Sequence, residues 1–168
     1  MTVDYSPYQE FAKKTFGFTF KDPATLVMAF THRSYINEHK KSAENHNERL
    51  EFLGDAVLEL AVTQFLYANY QEPEGILTNW RSALVRTESI GAAAIRLNFE
   101  SMLRLSKGEK RGSDRARQQI LANSFEAVIG AIHLTAGFET AQKFVLRHFR
   151  EILDNPETVE GSKDFKSA

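Results

Sequence analysis

The sequence of 168 residues contains no cysteine. That absence excludes a disulfide framework, a zinc ribbon and thiol nucleophiles, and it fits a reducing compartment. No apolar run approaches membrane-spanning length, and the opening residues "MTVDYSPYQEFAKK" hold no signal-type apolar region. The formal charge is only −1, so no global positive field draws in a polyanion. Any contact with nucleic acid must therefore rest on a local patch. No repeat and no low-complexity tract is present, and no stretch shows a convincing period of two. The expectation is a soluble, cytoplasmic chain without membrane contact, whose 42% apolar content suffices for one packed domain.

What is present recurs at three and four residues, so the expected fold class is all-α. Tyr8 to Phe16 reads as a first helix closed by Gly17. Pro23 suits the first turn of a helix capped by Asp22 and running through "ATLVMAFTHRSY". "NEHKKSAENH" is a polar connection, after which an acidic helix runs to about Tyr70, where "QEPEG" breaks it. "ILTNWRSALVRTESIGAAAIRLN" makes one or two helices, and "SKGEKRGSDRARQQ" is a charged loop. An apolar helix then ends at Gly137, and an amphipathic one spans Glu139 to Asp154. Residues 1–154 read as one domain, and residues 155–168 as a polar linker.

The acidic helix, "NERLEFLGDAVLEL", raises a physical question. At about 100° per residue, Glu48, Glu51, Asp55 and Glu59 share one face. Leu50, Leu53, Val57 and Leu60 gather opposite as the expected core stripe, and Phe52 lies beside the acids. A solvated face is the ordinary explanation of acids on a helix. Here, however, like charges repeat at i,i+3 and i,i+4 with no Lys or Arg on the same face, which is unfavourable unless a cation intervenes. A second helix, "ILANSFEAVIGAIHL", sets Leu121, Phe125, Val128 and Ile132 on one side and Asn123 with Glu126 on the other. Gly130 on that polar side lets a neighbouring helix approach. Two helices presenting oxygen ligands at i,i+3 spacing can enclose a hard divalent cation, Mg²⁺ or Mn²⁺, while the lack of cysteine and of paired histidines argues against zinc.

"HNERLEFLGDAVL" closely resembles the ribonuclease III signature. "AFTHRSY", "EGILTNWRSALVRTES", "MLRLSKGE" and "ILANSFEAVIGAIHL" are similar to that family's other blocks, in its order, over residues 8–154. The resemblance implies an all-α, homodimeric endonuclease domain that hydrolyses double-stranded RNA with Mg²⁺. By position it implies Glu51, Asp55, Asn123 and Glu126 as metal ligands, with Asp55 and Glu126 catalytic. It places Glu48 and Glu74 near the RNA strand, and Phe52 in a pocket of the partner subunit. Asn123 departs from the Asp usual in the family. An amide keeps a carbonyl oxygen but contributes no charge, so metal affinity should fall, with Mn²⁺ a plausible substitute.

A carboxylate-held Mg²⁺ suits hydrolysis to 5′-phosphate and 3′-hydroxyl ends, because it can activate water, neutralise the phosphate and assist the leaving oxygen. Attack by the RNA's own 2′-hydroxyl would instead need a positioned base. His32, His39, His46, His133 and His148 show no paired spacing and read as structural or surface residues, His32 in "THRSY" being the foremost exception. Arg104 to Arg117 holds six basic residues against two acids. Lys107, Lys110, Arg111, Arg115 and Arg117 are its candidate RNA contacts, a solvated loop being the alternative. "GSKDFKSA" resembles the start of the double-stranded-RNA-binding domain that usually follows in this family. Three other readings compete: an attenuated double-stranded-RNA-binding scaffold of the same fold, marked by Asn123; an all-α nucleotide pyrophosphohydrolase, which leaves the signature block unexplained; and a purely structural helical interaction domain, which leaves the like-charged face unexplained.

Overall fold

The computed structural model describes residues 3–41 and 44–154; the expected linker at 155–168 lies outside them. The described residues form α1 (Ser6–Phe16), α2 (Pro23–Ala29), α3 (Arg33–Glu38), α4 (Glu48–Asn69), α5 (Glu74–Leu84) and α6 (Thr87–Arg96). A 3₁₀ turn at Phe99–Met102 follows, then α7 (Lys107–Lys110), α8 (Asp114–Ala136) and α9 (Phe138–Asp154). No strand occurs among the described residues, and an isolated bridge joins Thr31 to Arg104. The all-α expectation holds. Gly17 closes α1 in the left-handed region at φ 86°, donating its N–H to Lys13 O.

Helix α8 is the centre of the molecule, with α4, α6, α9 and α2 packed around it. It buries Ile120 to Ala122 and every residue from Ser124 to Ile132, so its buried surface extends well beyond the stripe expected from the sequence. Phe125 carries the core: its ring stacks on Phe99 and on Phe144, each at 5.4 Å between centroids, and meets Phe149 edge-on at 5.8 Å.

Two glycines set the α4–α8 contact. A Cβ added at Gly54 would lie 1.6 Å from Glu126 O, and one at Gly130 would lie 2.5 Å from Leu50 O. The two backbones therefore touch at these positions. This rotates the buried face of α4 by roughly 60° from the leucine stripe, at the α-helical step. Leu50, Gly54, Val57, Leu58 and Ala61 face inward, Leu53 is half-buried and Leu60 is exposed. The sequence stripe counted large side chains, whereas the closest contact belongs to a residue with none.

The helix expected from Pro23 through "THRSY" is two helices. Its carbonyls are claimed from outside: Phe30 O accepts Arg104 N–H at 2.9 Å, and Thr31 O accepts Asn47 N–H at 3.0 Å. Ala29 O accepts both Asn47 Nδ2 and Ser124 Oγ at 3.0 Å, bolting the start of α4 and the middle of α8 to α2. His32 then caps α3 by accepting Ser34 N–H. Asp22 precedes α2 as expected, but its carboxylate takes the Thr25 hydroxyl instead of a helix amide.

The charged loop is also more ordered than its composition suggests. Ser106 caps the single turn of α7 by accepting Glu109 N–H, and Ser113 caps α8 by accepting Ala116 N–H. Arg104 is only 14% exposed at its side chain and belongs to the fold. Its guanidinium binds Glu44 twice, at 2.7 and 3.0 Å, donates to Thr31 Oγ1 and Tyr35 Oη, and lies over the Tyr35 ring.

Candidate active site

The contact between Gly54 and Gly130 places the polar edges of α4 and α8 along one open cleft of about 640 Å³. Glu48, Glu51, Phe52 and Asp55 enter it from α4, and Gln119, Asn123 and Glu126 from α8. His32, Arg33 and Asn47 complete the rim from the α2–α3 junction and the cap of α4. All four expected metal ligands are thereby brought together. Glu59, although on the same helical face as the other acids, is not among the residues that line the cleft.

Glu126 is the most buried of the four expected ligands, 9% exposed on the side of α8 that meets Gly54. Burial pushes its carboxyl up to about 9, helped by a hydrogen bond with Asp55 and by the charges of Asp55, Glu51 and Glu59. Its surroundings therefore favour the protonated form, which can share its proton with Asp55. Glu51 is also raised, by its own burial and then by Glu48 and Asp55. Glu48 finds its counter-charge off the helix, in Arg33 Nε at 3.1 Å, which answers part of the like-charge problem that α4 alone posed. Asn123 presents its Oδ1 to Gln119, whose Nε2–H donates to it at 2.9 Å.

The donor set suits a hard cation, since three carboxylates and an amide all offer oxygen, and a buried protonated carboxyl is a position that a cation can take over. The side chains do not yet form a cage: among the described residues no three Asp, Glu, His or Cys groups stand together at metal-holding distance.

The remaining sequence candidates fall elsewhere. Glu74 begins α5 and does not line the cleft. Lys107 and Lys110 on α7, Arg111 just after it and Arg115 in the first turn of α8 are exposed. Arg117 is not a free RNA contact: it pairs with Glu100 and donates to the carbonyls of Glu109 and Lys110 at 3.0 Å each, holding α7 against α8. His148 is structural as expected. Burial first, then Arg147 and Arg96, pull its imidazole down to about 4, and it packs on Phe144. Arg33, Asn47 and Gln119 went unassigned from the sequence. The first two lie within or beside quoted blocks, and Gln119 stands one helical turn before Asn123, the spacing that could have found it.

An all-helical domain with an acid-lined cleft between two helices in backbone contact is the class that fold and site define. Its family follows from comparison. The Ribonuclease-III-like family model matches residues 22–153, and the chain belongs to the ribonuclease III family. Ribonuclease 3 from Carboxydothermus hydrogenoformans is 46% identical over 149 residues, covering 88% of this chain and 63% of that protein. Ribonuclease 3 from Oceanobacillus iheyensis is 47% identical over 147 residues, with 87% and 63% covered. The chain thus spans somewhat less than two thirds of these relatives' length. Among solved structures, the nuclease domain of ribonuclease III from Campylobacter jejuni superposes with a TM-score of 0.76 at 38% identity, covering 84% of this chain and 96% of that one. That structure is described for flexibility in its region of dimer formation. No helix among the described residues is long and apolar enough to cross a membrane.

Proposed function

We propose that the chain is a divalent-metal-dependent endoribonuclease domain that hydrolyses double-stranded RNA to 5′-phosphate and 3′-hydroxyl ends. One observation carries this reading: Glu51, Asp55, Asn123 and Glu126 line a single cleft, with Glu126 buried among the other acids, where a bound cation would favour its ionised form. Mg²⁺, or Mn²⁺ in its place, supplies when bound the Lewis-acid charge that activates water and neutralises the phosphodiester oxygens. Glu51, Asp55, Glu126 and the Asn123 Oδ1 would hold the cation, and Glu126 would give up its proton to do so. The absence of cysteine fits work in a reducing cytoplasm.

The double-stranded preference and the homodimer rest on the family and on the outer face of α4. Phe52 is 84% exposed, and Leu60 and Tyr67 follow it along the same helix, also exposed. Their spacing of eight and seven residues puts them on one side, away from α8. A second copy covers that side, and two clefts in one dimer can address both strands of an A-form duplex. Phe52→Glu is expected to weaken self-association about thirtyfold or more, read by sedimentation equilibrium, with the monomer's helix content unchanged. An unaltered dimer constant would move the interface elsewhere.

The attenuated-scaffold reading has one observation in its favour: Asn123 Oδ1 is already engaged by Gln119. Asn123→Asp puts a fourth carboxyl among the four expected metal ligands. At limiting Mg²⁺ it should raise cleavage about tenfold by tightening the metal. If neither this chain nor Asn123→Asp cleaves a duplex that both bind, the scaffold reading prevails.

A further inference from the structure

Beyond the acids, the cleft carries one side chain whose hydrogen-bonding state the geometry determines. Ser34 N–H donates to His32 Nδ1 at 3.1 Å. A backbone N–H can only donate, so Nδ1 is the unprotonated nitrogen and the neutral ring carries its proton on Nε2. The Ser34 hydroxyl lies 2.8 Å from the same Nδ1, and its oxygen accepts Ser106 N–H at 3.0 Å, which leaves the hydroxyl proton for the imidazole. His32 is half-buried, lines the cleft, and makes no hydrogen bond through Nε2 within the described residues. Burial, the largest influence, favours the neutral ring; Arg33 and His46 act in the same direction, against Glu109 and Glu48.

We propose that His32, locked by Ser34, is a neutral hydrogen-bond donor through Nε2–H to a sugar–phosphate oxygen of the RNA strand in the cleft. The inference rests on the nuclease reading above and adds to it a substrate-contacting residue that is neither acid nor cation. A neutral donor has a specific advantage there. Glu48, Glu51 and Asp55 compete for any cation on the rim, as Arg33 shows by pairing with Glu48, whereas an imidazole N–H remains available. Ser34 is the positioning residue. It joins the imidazole to Ser106, the cap of α7, so the turn carrying Lys107 and Lys110 is tied by one hydroxyl to the ring that faces the strand.

The test uses the whole chain, a long RNA duplex and Ca²⁺ in place of Mg²⁺ to hold the complex uncleaved. Nitrogen-15 spectra of the histidines should show His32 protonated on Nε2 in the free protein and shifted at Nε2 on adding duplex. His32→Leu should weaken duplex binding about five- to tenfold, the effect of one lost hydrogen bond. The slope of affinity against salt should not change, because a neutral donor releases no counterions. Lys107→Gln should flatten that slope instead. His32→Gln, which keeps an N–H donor, should recover part of the affinity. Ser34→Ala keeps the backbone N–H on Nδ1 and so should keep the Nε2 tautomer. Without the hydroxyl tie to Ser106, however, the ring is held less firmly and duplex affinity should drop, and Ser34→Thr should restore it. A ring protonated on Nδ1, or a folded His32→Leu that binds as tightly as the parent, overturns the proposal while leaving the nuclease reading intact. A parent chain that binds no duplex overturns both.

Discussion

Glu126→Gln is expected to abolish RNA cleavage, by about a thousandfold or more, while leaving the protein folded and its stability less sensitive to pH. The substitution keeps the shape and the hydrogen bond to Asp55 but can never become an anion. In the native chain the Glu126 carboxyl is raised from the ordinary 4.5 to about 9. Without metal, the folded state therefore holds a proton that the unfolded state has released between those two values. The corresponding stabilisation is fully present below about pH 4.5 and is lost as pH rises through 9. Thermal melts of the metal-free chain should fall from pH 5 to pH 9, and Glu51, raised in the same direction, adds to the slope.

A divalent cation reverses this dependence. It binds the ionised carboxylate, so its uptake near neutral pH must release a proton, and its affinity should climb with pH up to about 9. Calorimetry in two buffers of different ionisation heat measures that proton directly. Glu126→Gln should bind metal weakly, release no proton and give a nearly flat melting profile. Cleavage at the parental rate by Glu126→Gln would place the chemistry outside this cleft.

The largest effect on folding is expected from Gly54→Ala, one methyl group in a helix where alanine is intrinsically favoured. The added carbon would sit 1.6 Å from Glu126 O and 2.9 Å from Gly130 N, both backbone atoms that no side-chain rotation can clear. Helices α4 and α8 must separate, and with them the central packing of the domain. A loss of about 3 kcal/mol or more is expected, at the upper end of overpacking costs. The matched control is Gly75→Ala in α5, where nothing lies within 4 Å of the added carbon. It should be neutral or slightly stabilising. Because Asp55 adjoins Gly54 and the clash is with Glu126 itself, any Gly54→Ala molecules that remain folded should also lose metal affinity. Equal melting temperatures for the two alanine variants would show that the helices are not in backbone contact.

Periodicity and signature blocks determined the helical class, the order of the elements, the ends at Gly17 and Gly137, and the four residues Glu51, Asp55, Asn123 and Glu126. Local rules suffice there, because the face on which an acid lies and the place where a glycine ends a helix depend on residues a few positions away. The tertiary structure decided the rest. The α2 helix stops at Ala29, where Arg104, Asn47 and Ser124, all distant in sequence, take the carbonyls of Ala29, Phe30 and Thr31 that a longer helix would have used. Arg104 and Arg117 have the composition of RNA contacts, yet Glu44 and Glu100 convert them into parts of the fold. The buried face of α4 was misread from its leucines, since the contact that orients the helix is made by Gly54, whose importance comes from having no side chain. The Glu126 carboxyl is raised only when α8 closes over the acids of α4, because desolvation belongs to the packed molecule and to no single segment of the chain.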